Sequence, residues 1–275
     1  MSLITTAGSA GAWSPDQYSF AAGDVVPQAL ILNTSTVSGE VDGDEPSLRV
    51  AYVDDAESAA YYAEGTQIAE DDPVLNEVVV QTKKLARLVN LSSEQFRQAH
   101  TAEQVSQSVA RDLVRKADNS YLGDTTEPTG LLHAVGTVDG GEIDGSLDAL
   151  VDLVADLEAN GATPSAVVVD PATWGALLKL KVADTYNQSL LGAGTTDAQP
   201  LLLSLPVLRS RFIPANSGLV VDRTAIVSAA GPVRVAQSEH ALFSSDAVQL
   251  RATWRIGWKV MRPERIGKFT VAAGA

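Results

Sequence analysis

From Val248 to Val260 the chain alternates without a slip. Val248, Leu250, Ala252, Trp254, Ile256, Trp258 and Val260 take every second position, with Gln249, Arg251, Thr253, Arg255 and Lys259 between them. A period of two puts alternate side chains on opposite faces of a strand, so the pattern predicts one long, half-buried strand. Trp254 and Trp258 share its apolar face, where core or interface packing accounts for them better than a ligand platform does. The stretch also opens a basic tail. From Arg251 to Lys268 there are six basic residues and one acid, Glu264.

The other end of the chain has the opposite sign. Residues 1–80 hold 14 acids and one base, Arg49, for a net −13, while residues 81–275 come to −1, out of a total of −14. An acidic surface disfavours nucleic-acid binding, since phosphate contact needs cations that displace counterions. It reads as a solvated face, and its asymmetry calls for a partner surface of opposite sign. There are no cysteines, which removes disulfides, thiol catalysis and cysteine-held metals. The N-terminal residues lack the basic start and apolar run of a signal peptide, and no apolar stretch reaches the ~18 residues of a membrane span. A soluble protein made in the cytoplasm is expected.

Residues 1–23 are small and polar and read as an arm. DVVPQALILNTS (24–35) predicts a short helix or strand after Pro27, and SLRVAYV (47–53) alternates as a strand. The 20 residues from Asp54 to Pro73 are poor in apolar side chains, and Val74 to Leu91 reads as strand again. Connections beyond about 12–15 residues are uncommon in compact domains, so the pair reads as a long hairpin with a wide tip. Ser92 followed by Gln95 is a capping box. From there Phe96, Ala99, Ala102, Val105, Val109, Leu113 and Ala117 recur at helical spacing, predicting one helix of roughly 27 residues and ~40 Å. Residues 122–145 are turn-dense, and Ser146–Asn160 predicts a helix ended by Gly161. Ala166–Val169 predicts a strand, and Pro171 opens a further helix at the position where its missing N–H costs nothing. Ala183–Pro200 reads as a polar loop, with short strands near Leu203–Leu208 and Leu219–Val221.

The search for chemistry is negative. No GxSxG, P-loop, HExxH or GxGxxG motif occurs. His100, His133 and His240 are far apart, with no second ligand nearby. Glu239 beside His240 could pair as acid and base, but a satisfied surface histidine is the better reading. Asp54–Asp55 and Glu70–Asp71–Asp72 offer the carboxylates a hard cation prefers but lack EF-hand spacing. GAGTT (192–196) has the glycines of a phosphate loop without its lysine. No catalytic residue, cofactor or metal is assigned, and no enzymatic activity is expected.

Five stretches, in order, carry a resemblance: AEGTQIAEDDPVLNEVVVQTKKLARLVNLSSE (63–94), EPTGLL (127–132), VVVDPATWGALLKLK (167–181), LLSLPVL (202–208) and AVQLRATWRIGWKVMRPERIGKF (247–269). Over nearly the whole chain this resembles the major capsid proteins of tailed bacteriophages with the Hong Kong 97-type fold. The resemblance implies an α+β fold with an N-terminal arm (1–23) and a peripheral domain in two parts (24–145 and 225–275). The first part carries an extended hairpin loop (46–82) and a long spine helix (92–121). An α/β axial domain (146–224) lies between the parts. It implies a structural function: pentamers and hexamers closing into an icosahedral virion shell around double-stranded DNA, without sequence-specific binding. Portal, scaffolding and decoration proteins are the implied partners, assembly in the host bacterial cytoplasm the implied location, and no membrane is involved.

Two departures narrow this. The self-crosslinking branch of the family uses a lysine in the extended loop, and residues 46–82 contain none, so a shell held without covalent bonds is expected. Some relatives carry a long N-terminal scaffolding segment, whereas this sequence opens on arm-like residues, so any scaffold is expected from a separate protein or from a part absent here. The charge pattern adds an expectation of its own. The acidic loop (Glu57, Glu64, Glu70, Asp71, Asp72) should meet a neighbour's basic tail (Arg251, Arg255, Arg262, Arg265). Two alternatives stay open here. An encapsulin nanocompartment shell shares the architecture and would need a groove for a cargo peptide. An α/β hydrolase-like enzyme with an acidic lid would need a nucleophile and base, and none is found.

Overall fold

The computed structural model describes residues 17–41, 45–54, 61–68, 74–98, 101–183, 186–189 and 200–272. β1 (Gln17–Phe20) leads through α1 (Ala22–Val25) and α2 (Leu30–Thr34) to β2 (Thr36–Gly39). β3 (Ser47–Asp54) and β4 (Val74–Ser92) precede α3 (Ser93–Phe96) and α4 (Thr101–Gly123). Then come β5 (Val138–Ile143), α5 (Asp148–Ala159), β6 (Ala166–Val169), α6 (Pro171–Lys179), β7 (Lys181–Ala183) and β8 (Tyr186–Ser189). The chain continues through β9 (Leu201–Leu202), β10 (Leu205–Arg209), β11 (Ser217–Val221) and β12 (Ile226–Ala230). It ends in β13 (Val233–Leu242), β14 (Ala247–Val260) and β15 (Ile266–Val271).

The alternating stretch is β14, the centre of a seven-stranded sheet. β4 runs antiparallel along one edge of it, from Ser92 opposite Ala247 to Thr82 opposite Gly257. The other edge is shared by β13 and β12. Trp254, Ile256 and Trp258 are buried against Leu113, Ala117 and Tyr121 of α4 and Leu30 and Ile31 of α2. Both indoles are satisfied, Trp254 Nε1 donating to Gly231 O at 3.0 Å and Trp258 Nε1 to Thr129 O at 2.8 Å. Tyr121 meets Trp258 edge-on, with ring centroids 5.4 Å apart.

A six-stranded sheet, in the order β5-β15-β11-β6-β10-β9, forms the second layer system. All four residues of β6 are buried. Val168 faces the first core and Val167 and Val169 the second, as a period of two requires when both faces are covered. Leu150, Leu153 and Leu157 of α5 line the second core. Asp222, 1% exposed, is fully partnered. It accepts from Thr163 N at 2.9 Å and from both the N and Oγ1 of Thr224 at 2.8 Å.

The structure bears on three sequence expectations. The helix expected over 92–121 is two helices. Ser92 does cap, accepting from Gln95 N at 3.2 Å, but it caps the four-residue α3. Ser93 is drawn to the β13–β14 turn, its N and Oγ each donating to Asp246 O at 2.9 Å, which ties α3 to the sheet. The remaining 23 residues of α4 span about 34 Å. Second, the six-stranded sheet takes in β5 and β15, from either side of the segment 146–224 expected as the axial domain. Third, the loop expected from Ala183 begins as a hairpin, β7 pairing with β8, while residues 190–199, including GAGTT, lie outside the described residues. Among the described residues, no helix is long and apolar enough to cross a membrane.

Candidate assembly surfaces

β4 is longer than the sheet it belongs to. Its second half pairs with β14 up to Thr82, and its first half leaves β14 to pair with β3, from Gln81 opposite Ser47 to Val74 opposite Asp54. The two strands form an arm. The switch happens beside Gly257, where a Cβ would stand 2.3 Å from Gln81 O, so only glycine allows the backbones to approach there. The base is cored: Val41, Val80 and Ala229 are buried, with Leu48, Val50 and Val78 packed on them.

Polar contacts fix the root. Thr82 Oγ1 donates to Glu45 O at 2.6 Å, and Arg255 Nη1 donates to Thr82 Oγ1 at 2.9 Å and Glu45 O at 3.2 Å. Lys83 Nζ lies 2.9 Å from Asp124 Oδ2, just past the end of α4. The first lysine of the sequence is thus an anchor at the arm's root, bonded within its own chain.

At the other end, every residue from Tyr61 to Ile68 is exposed. Thr66 N and Oγ1 donate to Ala63 O at 3.1 and 2.6 Å, and Gly65 sits at φ +83°, a conformation glycine adopts without strain. The tip carries Glu64, as the charge pattern implied, and it also presents Tyr61 and Ile68, at 108% and 68% exposure. The sequence reading passed over those apolar groups because the acids around them dominate composition. Glu57, Glu70, Asp71 and Asp72 lie outside the described residues.

The four arginines do not form one cluster. Arg251 is exposed on β14, opposite Leu88 of β4 and Ala236 of β13. Arg255 shares its face and is committed to the arm root. Arg262 and Arg265 lie beyond the strand's end, in a turn held to the end of α5 by Asn160 Nδ2, which donates to Glu264 O at 3.2 Å. Arg265 Nε is buried there without a hydrogen bond among the described residues. Arg234, opposite Thr253, adds a cation to the face of Arg251. Only the strand register could have placed it there.

Among the described residues, none of the candidate catalytic groups is brought together with another. His133 and His240 are exposed, and Glu239 is bonded instead by Gln237 Nε2 at 3.3 Å. His100 is outside the described residues, and among those described no group of three or more metal-ligating side chains occurs.

The sequence matches the phage capsid family over residues 24–271. The fold is similar to that of a chain of Gordonia phage Cozz, with TM-score 0.67, 15% identity, and coverage of 95% of this chain and 89% of that one. It is likewise similar to the capsid of an empty GTA particle, with TM-score 0.68, 20% identity and 98% coverage of each chain. A chain of Microbacterium phage Oxtober96 gives TM-score 0.65 at 14% identity, covering 98% of this chain and 100% of that one. No curated protein matches the sequence. With the match running through both sheets, α4 and the arm, the chain belongs to the phage capsid family.

Proposed function

We propose that this chain is the major capsid protein of a tailed bacteriophage, with a Hong Kong 97-type fold. Its copies close as pentamers and hexamers into an icosahedral virion shell around double-stranded DNA. The observation that carries this is the arm: a hairpin cored at its base whose tip, residues 61–68, touches nothing of its own chain that would bury it. Such a limb is stable in place only as part of a neighbour's surface. In this reading α4 is the spine helix of the peripheral domain, β3 and β4 the extended loop, and the six-stranded sheet the axial domain, widened to take in β5 and β15. The N-terminal arm expected over residues 1–23 ends in β1, whose Gln17–Phe20 pair with β13 at the edge of the first sheet. Portal, scaffolding and decoration proteins complete the particle, and assembly takes place in the host cytoplasm.

The shell is held without covalent bonds, because the arm from 46 to 82 has no lysine and Lys83 is engaged at the root. Charge contributes register. The acidic arm is matched to cations of the next subunit, Arg251 with Arg234 on the open sheet face and Arg262 with Arg265 near α5. Each exposed pair is worth only about 0–1 kcal/mol, but a shell repeats it many times. Replacing residues 55–73 by an Asn-Gly turn, a sequence suited to a tight hairpin, tests the reading. The subunit should keep its circular dichroism spectrum and lose the ability to form shells. Normal shells from the shortened chain would refute the arm's role.

A further inference from the structure

The apolar stripe of α4 is only half used. Leu113 and Ala117 are buried in the first core, whereas Val105 and Val109, earlier on the same stripe, stay partly exposed. Beside them, between α4, α1 and the sheet, runs an open groove of about 280 Å³, walled by Val25, Val105, Val109, Leu113, Val235 and Leu250. None of its lining residues is charged. Water against such a wall is unfavourable, and exposed apolar concavities of this kind mark sites of association.

The same chain carries a protrusion of matching chemistry. Tyr61 and Ile68 stand free on either side of the turn at Ala63–Thr66, on an arm whose eight paired residues extend ~26 Å. Glu64 is the one charged residue from 61 to 68, and it would meet no carboxylate in the groove wall. The tip does not fill its own groove, since 61–68 are exposed and the groove is open. Among the described residues Val135, at 90% exposure, also stands well out, but it belongs to the body of the fold, beside Val260 and Pro263, and not to the arm.

The geometry points to a knob-and-hole contact between copies: Tyr61 and Ile68 of one chain seat in the groove between α4 and the sheet of the next. This rests on the reading that the arm reaches a neighbouring subunit, and it names the surface that receives it. A protrusion and a hole on different parts of one molecule make a heterologous contact, which passes from copy to copy and closes when the rotation allows. The apolar contact supplies attraction, and the acidic flanks of the tip are left to set register against the neighbour's cations.

The absence of cysteine gives a test without background. Tyr61→Cys combined with Ser106→Cys, which lies in the groove wall, places one thiol on the knob and one at the hole. Oxidised after assembly, the double variant should give a ladder of covalent multimers on a denaturing gel, beyond the dimers that either single variant can form. Tyr61→Cys with Val151→Cys, an exposed site on α5, should give no such ladder. Adding Val109→Asp to the first pair puts a carboxylate in the apolar wall and should cut the ladder by about tenfold or more. If shells form but the groove pair crosslinks no better than the control pair, the groove receives something other than the tip and the inference is overturned. If the unmodified chain forms no shells or capsomers at all, the capsid reading fails, and this inference with it.

Discussion

Asp118 sits on α4, yet its carboxylate caps another helix. Leu30, the first residue of α2, donates its N–H to Asp118 Oδ1 at 2.8 Å, and Ala29 offers no side-chain cap of its own. Burial pushes the carboxyl up to about 6, against the pull of that backbone hydrogen bond. Because the folded value exceeds the unfolded one, the folded state holds this proton more tightly. Its stabilising effect is complete below about pH 4 and lost as pH rises through about 6. Asp118→Asn keeps an oxygen for Leu30 and cannot ionise. Urea midpoints at pH 4, 5 and 7 should therefore show the variant gaining on the wild type as pH rises. A difference that stays constant across that window would contradict the burial argument. Nearby hydroxyls are paired in the same region. Thr34 Oγ1 donates to Tyr121 OH at 3.0 Å and Ser35 Oγ to Ser228 Oγ at 2.7 Å, tying α2 to α4 and β12 through groups that would otherwise be costly to bury.

At the scale of elements, the arm root is where the fold leaves least room. Gly257→Ala would drive a methyl into Gln81 O, and forcing extra volume into a packed site costs typically 1–3 kcal/mol. Chemical denaturation should show a loss in that range and fewer shells at equal protein concentration; an unchanged midpoint would mean the crossing strands can part freely. Strands with one wet face were legible in the sequence, β14 above all, because alternation marks them. Of those covered on both faces, β6 was legible as a short apolar run, and β15 was not. β15 is buried at four of its six positions without alternating, so Ile266–Val271 gave no period to read. The α3–α4 break was hidden for a different reason. Apolar spacing runs on by threes from Phe96 through Ala99 to Ala102, while the contact that holds Ser93, to Asp246, is 153 residues away in sequence. The candidate site was half legible. The acidic arm and its lysine-free span could be read from composition, but the groove and the position of Arg234 depend on which strands lie side by side.

For the molecule as a whole, the proposed function turns the charge division between residues 1–80 and the rest into one between a reaching limb and a receiving body. Arg262→Glu with Arg265→Glu reverses two cations of that body. Shells of this variant should come apart at lower salt than wild-type shells, or fail to form, because screening acts first on exposed pairs. Light scattering across a salt series would check it, and wild-type resistance would remove these arginines from the contact. Under the proposed function this chain is complete only among copies of itself. Negative-stain electron microscopy of the purified protein puts that to the test. The prediction is closed shells of uniform diameter, or the ring-shaped capsomers that build them; a monodisperse monomer at every concentration and salt would contradict it.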